Sequence, residues 1–221
     1  MKVIAYLALA VCSALPLAAH AGLIDFEDLA SDTDLELSSA LSRGYLVAHD
    51  GGGIDPFAIV VGPGGPDALK FSGNGSKRLV AFNTSTINIS RPGGDAFDLL
   101  QFDGGESWVD MPHLWATQIQ VAGTLAGGGT VSQVFRLDLH KDALTGMQPF
   151  ILDGDFRNLV SVRFSGLGAA GGGPEFSLDN LMVGPDAVAI NAPPALWLAG
   201  AGLAALAAVR RRRINSAAEA R

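Results

Sequence analysis

Three stretches of the chain alternate apolar and polar residues with a period of two. In TVSQVFRLDL, Val131, Phe135, Leu137 and Leu139 share one face, and Ser132, Arg136, Asp138 and His140 share the other. FRNLVSVRF sets Phe156, Val160, Val162 and Phe164 against Arg157, Ser161 and Arg163. LWATQIQVAG sets Trp115, Ile119 and Val121 against Gln118 and Gln120. Alternate residues of a strand point to opposite faces, so each stretch predicts an antiparallel strand with one buried side. Gly and Pro clusters such as GPGGP, SGNGS, RPGGD and AAGGGP separate the stretches and predict turns. The body shows no long 3.6-period segment. About ten short strands with Gly-rich turns predict an all-β fold, an antiparallel β-sandwich of jelly-roll-like architecture.

The two ends break this pattern. Lys2 precedes the apolar run VIAYLALAVCSALPLAA, and the small-x-small triplet Ala19–Ala21 closes it. Residues 1–21 therefore read as a signal peptide handled by the Sec machinery and signal peptidase, with Gly22 as the first mature residue. Val11 before Cys12, and the apolar run beyond it, disfavour lipoprotein cleavage. Cys12 is the single cysteine of the chain, so the mature body is expected to hold no disulfide. At the other end, residues 195–209 are apolar and uncharged, and Arg210, Arg211, Arg212 and Arg213 follow at once. The run is shorter than the ~20 residues of a comfortable spanning helix, but with Ala192–Pro194 it reaches across a thinned bilayer. The arginines place the 210–221 tail in the cytoplasm and the body outside. This divides the chain into a 22–184 ectodomain, a 185–194 linker with a Pro motif, a 195–209 transmembrane helix and the tail.

A Pro motif, an apolar helix and an Arg cluster closing an exported chain resemble the PEP-CTERM sorting signal. Asn191, Ala192, Pro193, Pro194 and Ala195 resemble its Val-Asn-Ala-Pro variant, with Ile190 where Val is frequent and with no Pro-Glu-Pro. The resemblance implies recognition by exosortase, a membrane-embedded transpeptidase-like enzyme. It also implies a transient inner-membrane intermediate and delivery to the surface or extracellular matrix of a Gram-negative bacterium.

The charge of the body narrows its partners. Residues 22–191 carry 21 Asp and Glu against 9 Lys and Arg, a net charge of −12 that the whole-chain value of −7 conceals. Such a surface excludes nucleic acid, whose phosphates need a basic partner. It suits solubility outside the cell, or divalent cations. Catalytic signatures such as G-x-S-x-G and H-E-x-x-H are missing, and His49, His113 and His140 are scattered singly, so no enzyme is expected. Asn74, Asn83 and Asn88 each begin an Asn-x-Ser triplet, read here as turn composition.

Candidate sites lie at the ends of the body and in one loop. GLIDFEDL points Ile24 and Phe26 inward, with Asp25 and Glu27 on the other side. In PEFSLDNLMV the apolar phase slips at Asp179-Asn180, which predicts a β-bulge. First and last strands of a sandwich commonly pair, so Glu27 and Asp179 are candidates to share a hard cation through oxygen ligands. This opening and closing also resemble carbohydrate-binding-module-like jelly rolls, in which the matching Glu and Asp often hold a structural Ca2+. Trp108, among Asp103, Glu106 and Asp110, is the candidate ring for stacking on a sugar. The resulting expectation is a non-catalytic, glycan-associated matrix protein stabilised by calcium, with exopolysaccharide as partner. Its alternatives are a secreted polysaccharide-acting enzyme and a permanently anchored envelope protein.

Overall fold

The alternating stretches form strands, and shorter strands join them. The computed structural model describes residues 21–29, 35–51, 57–65, 68–140 and 142–184. The expectations for the signal peptide up to residue 20, the linker, the spanning helix, the sorting motif Asn191–Ala195 and the Arg210–Arg213 tail lie outside the described residues. Among the described residues no helix is long and apolar enough to cross a membrane.

The strands are β1 (Gly22–Ile24), β2 (Leu35–Glu36), β3 (Ser39–Ser42), β4 (Tyr45–Gly51), β5 (Phe57–Val61), β6 (Arg78–Phe82) and β7 (Ser85–Ser90). They continue as β8 (Leu99–Glu106), β9 (Gln118–Leu125), β10 (Thr130–Arg136), β11 (Gln148–Ile151), β12 (Leu159–Leu167) and β13 (Phe176–Val183). One sheet runs β11-β8-β13-β6-β5-β2, with β1 also paired to β13, and the other runs β10-β9-β12-β7-β4-β3. All of the strand pairs are antiparallel. The chain passes repeatedly from one sheet to the other, and residues from both enclose a shared core that includes Phe26, Phe97, Phe102, Phe156, Phe164 and Phe176. Removing side chains of this size from water stabilises the fold by about 1.5–3 kcal/mol each. The molecule is therefore an all-β sandwich.

Two bulges set which side chains enter the core. The one expected in β13 is present: its register against β8 shifts between Asp179 and Met182, and Asn180 takes the left-handed conformation at φ 48°. Leu178, Asp179 and Leu181 are thereby all fully buried. A second bulge, between Leu159 and Ser161, corrects the alternation read for β12. Leu159 fills the core and Val160 is only half-buried. Gly123 makes this possible, since a Cβ there would lie 2.7 Å from Leu159 Cδ2. Leu139 is a further correction. β10 ends at Arg136, and Leu139, at φ 61°, is 49% exposed rather than inward.

Candidate functional site

The first and last strands do pair, Ile24 opposite Leu181 and Gly22 opposite Val183. Beyond β1 the chain turns: Phe26 is buried at φ 54°, and Leu29 N donates to Phe26 O at 3.0 Å. Asp25 receives the Arg43 guanidinium at two points, 2.8 and 2.9 Å, which holds its carboxyl below the usual range. Glu27 and Asp179, the expected cation ligands, are engaged with different donors. Glu27 Oε1 accepts from Lys77 N at 2.8 Å. Asp179 Oδ2 accepts from Asn74 Nδ2 at 2.9 Å and Ser76 Oγ at 2.5 Å, and Oδ1 from Asn180 N at 2.7 Å. Burial outweighs these donors and pushes Asp179 up to about 6.

Beside Glu27 the chain supplies a cation of its own. Lys77 Nζ donates to Glu27 O at 3.1 Å and Leu29 O at 2.8 Å. A hard divalent ion needs six to eight oxygens at about 2.3–2.6 Å. The carbonyls here accept from an ammonium, and the carboxylates accept from N–H and O–H donors. Among the described residues no group of three His, Cys, Asp or Glu side chains could hold a metal. As arranged, these residues do not fit Ca2+.

Trp108 lies on the outer side of the seven-stranded sheet, which is covered. Ile59, Val61, Phe71, Val80 and Phe82 form a second apolar cluster, with Phe57 and Trp108 packed on it. The Trp108 ring meets Phe71 edge-on at 4.8 Å, and Lys70 Nζ sits 5.7 Å from its centroid. The buried Trp115 indole donates to the Trp108 carbonyl. Segment 68–77 completes the cover. Arg78, 1% exposed, gathers it by donating to Ala68 O at 2.6 Å, Phe71 O at 3.0 Å and Ser76 O at 3.4 Å. Gly73 leaves room for that guanidinium, because a Cβ there would stand 2.8 Å from Arg78 Cζ. Glu175 is also buried on this side, and burial pushes it up to about 7. Glu106, fully buried, is shifted upward by the same cause.

The outer face of the six-stranded sheet is open. One row of directly opposed residues crosses it as Ser39, Ala48, Asn88, Arg163, Ala122 and Ser132. The next row runs Asp50, Thr86, Ser165, Gln120 and Val134. Six strands at the usual spacing span about 24 Å. Near the centre Arg163 Nε donates to Asn88 Oδ1 at 3.0 Å, and Nη2 to Asp50 Oδ2 at 3.3 Å. Thr86 Oγ1 donates to Asp50 O at 3.0 Å. Asp50, Gly51, Thr84, Thr86 and Arg163 line an open depression of about 500 Å³. Arg163 and Asp50 are 52% and 65% exposed, so their pairing adds little stability. What the array does offer is acceptors, amide and guanidinium donors and hydroxyls fixed on a rigid sheet, the groups that pair with sugar hydroxyls. No aromatic ring faces outward here among the described residues. Alternation in the sequence placed Arg163 outward; its meeting with Asp50 and Asn88 depends on strand order, which no single strand encodes.

No family model matches the chain, and no curated protein matches it. Solved structures do resemble it. A family 29 carbohydrate-binding module aligns over 75% of this chain and 87% of its own, with 15% identity and a TM-score of 0.42. An F5/8 type C domain from Bacteroides fragilis aligns over 66% and 95%, with 13% identity and a TM-score of 0.42. An exo-β-agarase aligns over 76% of this chain and 25% of its own, with 14% identity and a TM-score of 0.42. Likeness at this level carries no ligand and no residue role across.

Proposed function

We propose that this chain is an exported, exosortase-sorted protein of the envelope or extracellular matrix, whose sandwich is a non-catalytic glycan-binding module. The surface we assign to the glycan is the open face of the six-stranded sheet. The observation that carries this assignment is the Asp50–Asn88–Arg163 array at the centre of an uncovered, hydroxyl- and amide-rich surface. Asn88 engages Arg163 through its oxygen, which leaves its NH2 for a ligand. A body of net charge −12 repels polyuronates and polysulfates, so the favoured ligand is a neutral polysaccharide. Without stacking rings the face binds through hydrogen bonds alone. Each contact is weak, and retention depends on many copies meeting one polymer.

Affinity electrophoresis of the purified full chain tests this, with hydroxyethylcellulose and the producing cell's own exopolysaccharide as probes. Arg163→Ala is expected to weaken retention about tenfold or more, the loss of a charged hydrogen bond. Unchanged retention in Arg163→Ala and Asn88→Ala removes the face from consideration. A second reading puts the sugar at Trp108, on the strength of its half-buried ring in the acidic stretch Asp103–Asp110. Loss of retention in Trp108→Ala alone favours it. The sorting part rests on the Asn191–Ala195 motif, the apolar run and Arg210–Arg213, with signal peptidase, the Sec machinery and exosortase as partners. Intact mass of the protein recovered from cells tests it. Loss of the segment beyond the motif supports sorting, and retention of Arg210–Arg213 supports a permanent anchor.

A further inference from the structure

We infer that Lys77 is the resident structural cation of the junction between the first and last strands, and that this junction needs no divalent ion. Three features converge on that side chain. Its ammonium bridges two backbone carbonyls of the turn after β1, Glu27 O and Leu29 O. Its own backbone N–H ties the Glu27 carboxylate to the same loop. The loop is fastened at its other end to β13, through Asn74 and Ser76 on Asp179. A single residue thus joins the turn after β1 to the segment that β13 holds, which is the task of a structural ion linking two chain ends.

The turn needs such a link. Carbonyls that a turn leaves unpaired by backbone need another donor, and the Lys77 ammonium serves two of them here. Phe26 in the left-handed region adds backbone strain that the surroundings must hold in place. Two carbonyl oxygens suit an ammonium, and the 2.8 and 3.1 Å distances are those of N–H···O bonds. Because Lys77 is covalently part of the chain, the junction closes at any calcium concentration. Removing the ammonium leaves the Glu27 and Leu29 carbonyls without this donor, and two carbonyls fall far short of the oxygens that Ca2+ needs.

Differential scanning calorimetry of the full chain, with EDTA and then with millimolar Ca2+, tests the inference. Wild type is expected to melt at the same temperature in both. Lys77→Met keeps the aliphatic stem without the charge. It is expected to melt about 3–8 °C lower than wild type in EDTA and equally low with Ca2+. Lys77→Arg is expected to stay within about 2 °C of wild type in either buffer. A wild-type melting point that rises with Ca2+ overturns the inference, because a metal then serves the junction alongside the lysine. So does Lys77→Met melting like wild type in EDTA, or regaining its lost stability with Ca2+. Should Lys77→Met fail to fold, calorimetric titration of wild type with Ca2+ decides: no heat supports the resident ammonium, and saturable binding contradicts it.

Discussion

The two outer faces of the sandwich have opposite fates. On the seven-stranded sheet, FAIVV in β5 and RLVAF in β6 are buried along almost their whole length. Ala58, Val60, Leu79 and Ala81 enter the main core, while Ile59, Val61, Val80 and Phe82 face a second cluster under segment 68–77 and Trp108. On the six-stranded sheet, STINIS in β7 alternates strictly, with Ile87 and Ile89 inward and Thr86, Asn88 and Ser90 outward. A strand covered on both sides loses the period-two signature and reads as a continuous apolar run. A strand with one wet face keeps it. The covered face stabilises the protein, and the open face is the one the proposed function assigns to the ligand.

The largest break in that contrast is Arg78→Ala. Three carbonyls of the cover lose their donor and a cavity opens where a buried side chain stood. A loss of about 3–5 kcal/mol is expected, read as a Tm lower by about 6–15 °C. Trp108→Ala is expected to cost about 2 kcal/mol in urea unfolding, because the ring packs on Phe71 and Phe82, while polysaccharide retention stays unchanged. Glu175 sharpens the contrast through pH. Burial raises its folded pKa to about 7 from 4.5, so folding favours the protonated form. Its stabilising contribution is complete below 4.5 and is lost as pH rises through 7. Asp179 acts in the same direction between 3.8 and about 6. Glu175→Gln is therefore expected to flatten the decline in urea stability over this window. It should also exceed wild type above pH 7 by about 1–2 kcal/mol, with no such gain in acid. The smallest effect belongs to the open face: Arg163→Ala is expected to shift stability by less than about 0.5 kcal/mol, since an exposed ion pair contributes little.

The sequence was legible where a rule acts within one strand. The phase slip at Asp179-Asn180 announced the bulge in β13, and Val162 and Phe164 were correctly turned inward. It was less legible where a partner strand decides. Leu159 displaces Val160 because Gly123, on the neighbouring β9, leaves it space. Leu139 fell outside because β10 stops at Arg136, and its N–H is captured by Glu106 Oε1 at 2.6 Å. The pairing of first and last strands was anticipated. The role of Lys77 was not, because a lysine after SGNGS reads as an ordinary turn residue until the 26–29 turn is seen to present its carbonyls to it. Asn74 and Ser76, met as a bare triplet in that turn, are the donors to Asp179. The Asp50–Asn88–Arg163 array draws on three strands far apart in sequence, and only the order β12-β7-β4 assembles it.

The most direct test of the account is hydrogen–deuterium exchange of the full chain with and without hydroxyethylcellulose. Protection confined to β4, β7, β12 and β9, around Asp50, Asn88 and Arg163, is the expected footprint. Protection that instead gathers over segment 68–77 and Trp108, with the six-stranded sheet unchanged, contradicts it.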